Sequence, residues 1–222
     1  MSSADEKKIE DRVQEGKDTL LEKLKEDGVV NPQGLAMAGF GALFLAAVPL
    51  TSWLAQPNGL LERAINGTCS AIAFIGSAGS NSRVAQTGKI AALSTLYITM
   101  TYALSGAGAA AGVDAGNKEG RDNNYPRAQV ANLRGLPLRL HSAHYNLMEM
   151  FGGFGLTAAL AQAVAPTDQT VVNLLGLHVL SKCFLYYPSY LMNVGPSRSL
   201  AHVLATASVI NVALRLSKKP LL

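Results

Sequence analysis

After residue 33 the apolar residues fall into long blocks, and the polar residues collect between them. Residues 34–55, GLAMAGFGALFLAAVPLTSWLA, carry no charge over 22 positions. At about 1.5 Å per residue that length crosses a bilayer core of about 30 Å. Trp53 stands near the end of the block, where an interfacial aromatic is expected, and Pro49 introduces a kink. Gly39 and Gly41 admit a close helical neighbour. Four further spans are predicted, over about 90–113, 137–165, 170–193 and 199–216. The Gly/Ala-rich half of the first of these holds Gly108 and Gly112 at GxxxG spacing, a pattern that favours tight helix contact.

Two stretches depart from this pattern. Residues 4–27 alternate apolar Ile9, Val13, Leu20, Leu21 and Leu24 with Lys and Glu at helical spacing, which predicts an amphipathic helix, stopped by Gly28 and Asn31-Pro32. It reads as a solvated tail or as a helix that docks on a partner. In residues 58–87 the apolar run SAIAFIGSAG is only about ten residues long, too short to span, so an interfacial or half-buried segment is expected. The domains read as a charged tail helix (1–31), an extra transmembrane helix with an interfacial segment (32–87), and a four-helix membrane domain (88–222).

Composition agrees with a membrane protein. Hydrophobic residues make up 49% and charged residues 15%, below the roughly 25% usual in soluble domains. Residues 1–27 hold six Lys/Arg and nine Asp/Glu, whereas the rest hold 13 Lys/Arg and six Asp/Glu. The body is therefore apolar with a scattered basic fringe, and no nucleic-acid recognition motif accompanies it. With five spans, twelve Lys/Arg fall on the side of the N-terminal tail and six on the other. The positive-inside rule then places the tail in the cytosol, matrix or stroma. The acidic N-terminus lacks the apolar core of a secretory signal, and its carboxylates are foreign to organellar presequences; an endomembrane or an organellar membrane, mitochondrial or plastid, fits. Cys69 and Cys183 lie among apolar residues and read as small buried hydrophobes. Asn66-Gly67-Thr68 fits a glycosylation sequon, a match frequent by chance.

The chemistry concentrates in LRLHSAHYNLMEMFGGF, residues 138–154. Ionisable groups inside a membrane helix are costly and face a bundle interior or a cavity. Asn146 and Glu149, three apart, share a face. On the fourth span His178, Lys182, Tyr186 and Tyr190 recur every fourth position, drifting about 40° per step into one broad stripe. Lys182 needs a partner, and Glu149 is expected to face it, or else Arg139 or Arg198. His141 and His144 lack a third ligand at metal spacing, so no metal site is expected. The polar set fits either an architectural network or a pocket for a polar ligand beside an apolar wall.

The stretch RDNNYPRAQVANLRGLPLRLHSAHYNLMEMFGGF resembles the signature of the MAPEG superfamily, the membrane-associated proteins of eicosanoid and glutathione metabolism. The resemblance covers about residues 88–216 and implies a four-helix unit, here preceded by the extra helix and the tail. It implies that Asn146 and Glu149 contact glutathione, that Phe154 ends the motif, and that Tyr186, Tyr190 and the downstream Arg198 match the family's Tyr-x-x-x-Tyr and Arg. In catalytic members such an Arg stabilises the glutathione thiolate. Ser142 stands where the family has a glutathione-binding Arg, with Arg139 one turn earlier as a partial substitute. Gly152 replaces the motif's Pro, Met150 an aromatic, and Cys183 an Arg. The resemblance implies a transferase or peroxidase acting on lipophilic electrophiles or lipid hydroperoxides, with Arg198 and Tyr190 catalytic and Arg139, Asn146, Glu149 and Tyr186 holding glutathione. The alternative is a non-catalytic accessory subunit of a larger organellar membrane complex, favoured by the extra helix and tail; a lipid-binding protein using the same cavity is a third reading. Members of the family are typically trimers with sites between subunits.

Overall fold

The computed structural model describes residues 3–31, 34, 37, 39–77 and 84–219. Among them the chain is all helical, and it divides into two units, Met1–Leu43 and Phe44–Leu222. The first unit is dominated by α1, Ser3–Glu26, the expected amphipathic helix. Its Ile9, Val13 and Leu20 are all exposed.

In the second unit four helices are long and apolar enough to cross a membrane: α5, Gln86–Ala115; α6, Gly135–Val164; α7, Gln169–Leu191; and α8, Gly195–Leu216. They match the four predicted spans after residue 88, and the chain is an integral membrane protein. α7 is the central helix. Every residue from Val171 to Val179 is buried, including Asn173 and His178. Its start is fixed by Asp168, whose side chain accepts a hydrogen bond from the Val171 N–H as an N-cap. It is followed by Asn193 at φ 60°, a left-handed conformation that Asn tolerates, before Pro196 opens α8. Ser189 and Ser197 hydroxyls at 2.8 Å tie the two helices across that turn.

α5 and α6 approach closely through small residues, as the GxxxG spacing predicts. A Cβ on Gly112 would lie 3.1 Å from Leu140 Cβ and 3.2 Å from the Pro137 carbonyl, and one on Gly108 would lie 3.1 Å from the Tyr187 hydroxyl. The aromatic core is built around Tyr97. Its hydroxyl donates to the Leu147 carbonyl (3.2 Å), and its ring meets Phe154 and His178 edge-on at 4.9 and 5.1 Å. Phe154 stacks on His178, whose Nδ1 lies 3.0 Å from the Ala205 carbonyl.

Further helices precede α5. Within 34–55 the described helical segment is Gly41–Leu54, divided into α2 (Gly41–Ala46) and α3 (Val48–Leu54). Pro49 sits in the first turn of α3, where its missing N–H and fixed φ start a helix rather than continue one. Residues 35, 36 and 38 lie outside the described set. The segment expected at the interface forms a 17-residue helix, α4 (Leu60–Gly76), with Ile65 and Cys69 buried. Ile65 packs so tightly on Gly176 of α7 that no Cβ would fit there. Residues 78–83 lie outside the description. A chain of amides joins these elements. Gln86 donates to Gln169 (2.8 Å), Gln169 to Asn173 (2.7 Å), and Asn173 to the Ala55 carbonyl (3.1 Å).

Candidate functional site

α6 presents Leu138, His141, Ser142, Tyr145, Asn146 and Glu149 along one stripe, at steps of three and one that keep a single helical face. α7 contributes Tyr186 and Tyr190, and the 116–134 loop contributes Arg127 and Val130. Together they line a cavity of about 570 Å³ at the loop end of the bundle, within the roughly 300–1,000 Å³ range of small-molecule sites. Of the residues singled out in the sequence, Asn146, Glu149, Tyr186 and Tyr190 meet here.

Lys182 lies behind this wall and is fully buried. Its ammonium donates to Asn146 Oδ1 at 2.7 Å, lies 3.0 Å from His202 Nδ1, and sits 4.2 Å from the Tyr186 ring centroid. The expected Lys182–Glu149 ion pair is absent among the described residues: the amide of Asn146 takes that place. Glu149 is exposed at the cavity, where its charge keeps hydration that it would lose beside a buried amine. Its field still reaches Lys182 and Tyr186.

Arg198 stands at the start of α8 with its guanidinium 4.7 Å from the Tyr190 ring centroid. It meets the cavity through that ring rather than lining it. Arg139 does not line the cavity; its Nε donates to the Leu191 carbonyl at 2.9 Å and holds the end of α7 against α6. Sequence reasoning missed Arg127, Tyr145 and His202. His202 follows Arg198 by four residues on one helix face, a signal that was available; Arg127 belongs to an aperiodic loop.

A smaller chamber of about 300 Å³ adjoins on the α5 side, sharing Arg127, His141 and Tyr145 and adding Arg121 and His144. His144 Nδ1 lies 3.0 Å from Ser105 Oγ. Among the described residues no group of three His, Cys, Asp or Glu side chains could hold a metal.

α5, which borders the smaller chamber, and α7, which borders the larger cavity, each carry a π-helical stretch, Thr99–Leu104 and Ser181–Tyr186. Such stretches often sit at functional sites. Here the second carries Lys182, Cys183 and Tyr186.

The sequence model of the MAPEG family matches residues 89–217. No curated protein and no solved structure matches the chain significantly.

Proposed function

Because the chain belongs to the MAPEG family, we propose that it is a membrane-embedded glutathione-dependent transferase or peroxidase, with its glutathione site in the cavity between α6 and α7. The observation that carries this reading is the mixture of groups around one cavity of about 570 Å³. Glutathione is a tripeptide with two carboxylates, one ammonium and two amides. Arg127 and His141 suit its carboxylates, Glu149 its ammonium, and Ser142, Tyr145 and the Asn146 amide its peptide groups. Arg127 supplies from the loop the cation that Ser142 lacks on the helix. When bound, glutathione supplies a thiol that becomes nucleophilic on deprotonation, and a nearby cation favours that state. Arg198, held over the Tyr190 ring, adds positive potential at the rim, and Tyr190 offers a hydroxyl donor there. The exposed apolar residues Ile98, Tyr102, Leu104, Leu156 and Leu160 suit lipid, a lipophilic second substrate, or the trimer contacts of the family.

The test is glutathione binding and turnover by the full chain in nanodiscs, with a lipophilic electrophile and a lipid hydroperoxide. Arg127→Ala should raise KM for glutathione about tenfold or more, the weight of one hydrogen bond to a charged group. Arg198→Ala should lower kcat about a hundredfold, comparable to removing a charge-stabilising donor, with little change in KM. No binding at millimolar glutathione would overturn the reading.

The exposed Ile9, Val13 and Leu20 of α1 favour a second reading, an accessory subunit whose tail helix docks on a partner. Deleting residues 3–26 would then release the chain from a hetero-complex seen by native mass, while glutathione turnover in the first reading would survive that deletion.

A further inference from the structure

At the end of the bundle away from Arg127 lies another cavity, of about 520 Å³, between α3, the α6–α7 turn and the end of α8. Ser52, Asp168, Asn211, Arg215, Lys218 and Lys219 supply its polar lining. Lys219 pairs with Asp168 at 2.9 Å, which uses the cavity's one lining carboxylate. Arg215 and Lys218 therefore have no ion-pair partner among the described residues. Arg215 is nevertheless fixed. Its Nε donates to Asn211 Oδ1 (3.1 Å) and an Nη to Ser52 Oγ (3.4 Å). Asn211 is itself buried and anchored on Thr51 Oγ1 (3.0 Å) and Ser52 Oγ (2.8 Å). Neutral partners thus orient a guanidinium that keeps its charge and several N–H donors for another acceptor.

The depth of this cavity indicates the kind of acceptor. Arg198 and Arg215 are 17 residues apart on α8, about 25 Å at 1.5 Å per residue. They stand at the two polar borders of a hydrocarbon core about 30 Å thick. Val48 and the exposed Leu214 supply its apolar lining, and α3 also carries the exposed Trp53, a residue at home at headgroup level. We propose that this cavity binds the phosphate of an anionic phospholipid, with Arg215 and Lys218 on the phosphate and the acyl chains leading away over Val48 and Leu214. Basic pockets between membrane helices are suited to such headgroups. Ser52 and Lys218 lie outside the family match, and the site is separate from the proposed glutathione cavity.

The experiment places the full chain in nanodiscs of equal phosphatidylglycerol and phosphatidylcholine, extracts it gently, and counts retained lipid by native mass spectrometry. Wild type should retain phosphatidylglycerol selectively, at one molecule per chain. Lys218→Gln, at an exposed side chain without side-chain hydrogen bonds among the described residues, should lower that selectivity about fivefold, the weight of one cation near an anionic surface. Arg215→Gln should abolish it. Equal retention of the two lipids, or wild-type selectivity in both variants, would overturn the proposal. Displacement of phosphatidylglycerol by millimolar inorganic phosphate would also overturn it, in favour of a free-anion site.

Discussion

Lys182 is the most consequential single side chain in the bundle, because its ammonium is held by neutral groups. Asn146→Ala removes the 2.7 Å acceptor and leaves a buried charge short of a partner. It should cost about 1–3 kcal/mol of stability in detergent unfolding. Lys182→Met removes the charge itself at similar volume and should be close to neutral, since buried charges are often replaceable by apolar residues. Gly176 carries a steric version of the same argument. Gly176→Ala drives a Cβ into Ile65 and should cost about 1–3 kcal/mol; Gly176→Ala combined with Ile65→Val should recover part of the loss. Asp168 is the titrating case. Burial alone would raise its carboxyl, but hydrogen bonds from Lys219 and the Val171 N–H outweigh that and hold it below the ordinary value of 3.8. A depressed carboxyl contributes stability above the unfolded value and loses it as pH falls through the folded one. Wild type should therefore lose a little stability below about pH 4 that Asp168→Asn, which keeps the cap, does not. The pair is partly exposed, so the difference should stay within about 1 kcal/mol.

The helices show which parts of this fold could be read from the sequence. α5 to α8 were legible because long uncharged blocks admit few other structures, and the α6 stripe was legible because its polar residues keep helical spacing. α4 was not, for a definite reason. Thr68 and Ser70 donate back to the Ala64 and Asn66 carbonyls at 2.9 and 2.8 Å, so side chains that look polar in the sequence cost little on a docked helix. The π-helical stretch in α7 was also invisible. It closes i→i+5 rather than i→i+4, with more residues per turn, so the angular step from Lys182 to Tyr186 departs from that of an α-helix. Tyr186 and Tyr190 lie side by side, ring centroids 5.6 Å apart and tilted by 57°. α7 behaves as an α-helix carrying one inserted residue. Deleting Leu185 should therefore restore α-geometry and leave the residues after it nearly in register, with Tyr190 still at the cavity; the helical circular dichroism and glutathione turnover should both survive.

Four crossings would put the Arg127 cavity and the Arg215 cavity on opposite faces of the membrane. Cysteines introduced as Asp122→Cys and Lys218→Cys should then react with an impermeant maleimide from opposite sides, against a low background because Cys69 and Cys183 are buried. Labelling of both from one side would exclude the four-span topology. The orientation expected from Lys/Arg counts depends on a crossing at 34–55, so this labelling is the deciding measurement. Within the bundle, cohesion comes from apolar contact and from hydrogen bonds to uncharged acceptors; among the described residues Lys219–Asp168 is the one ion pair, and it lies at the edge. Ionic strength is therefore a knife that cuts selectively. At about 1 M salt the screening length falls to about 3 Å, which should strip a phospholipid from Arg215 and Lys218 yet leave the helices packed as they were in dilute buffer.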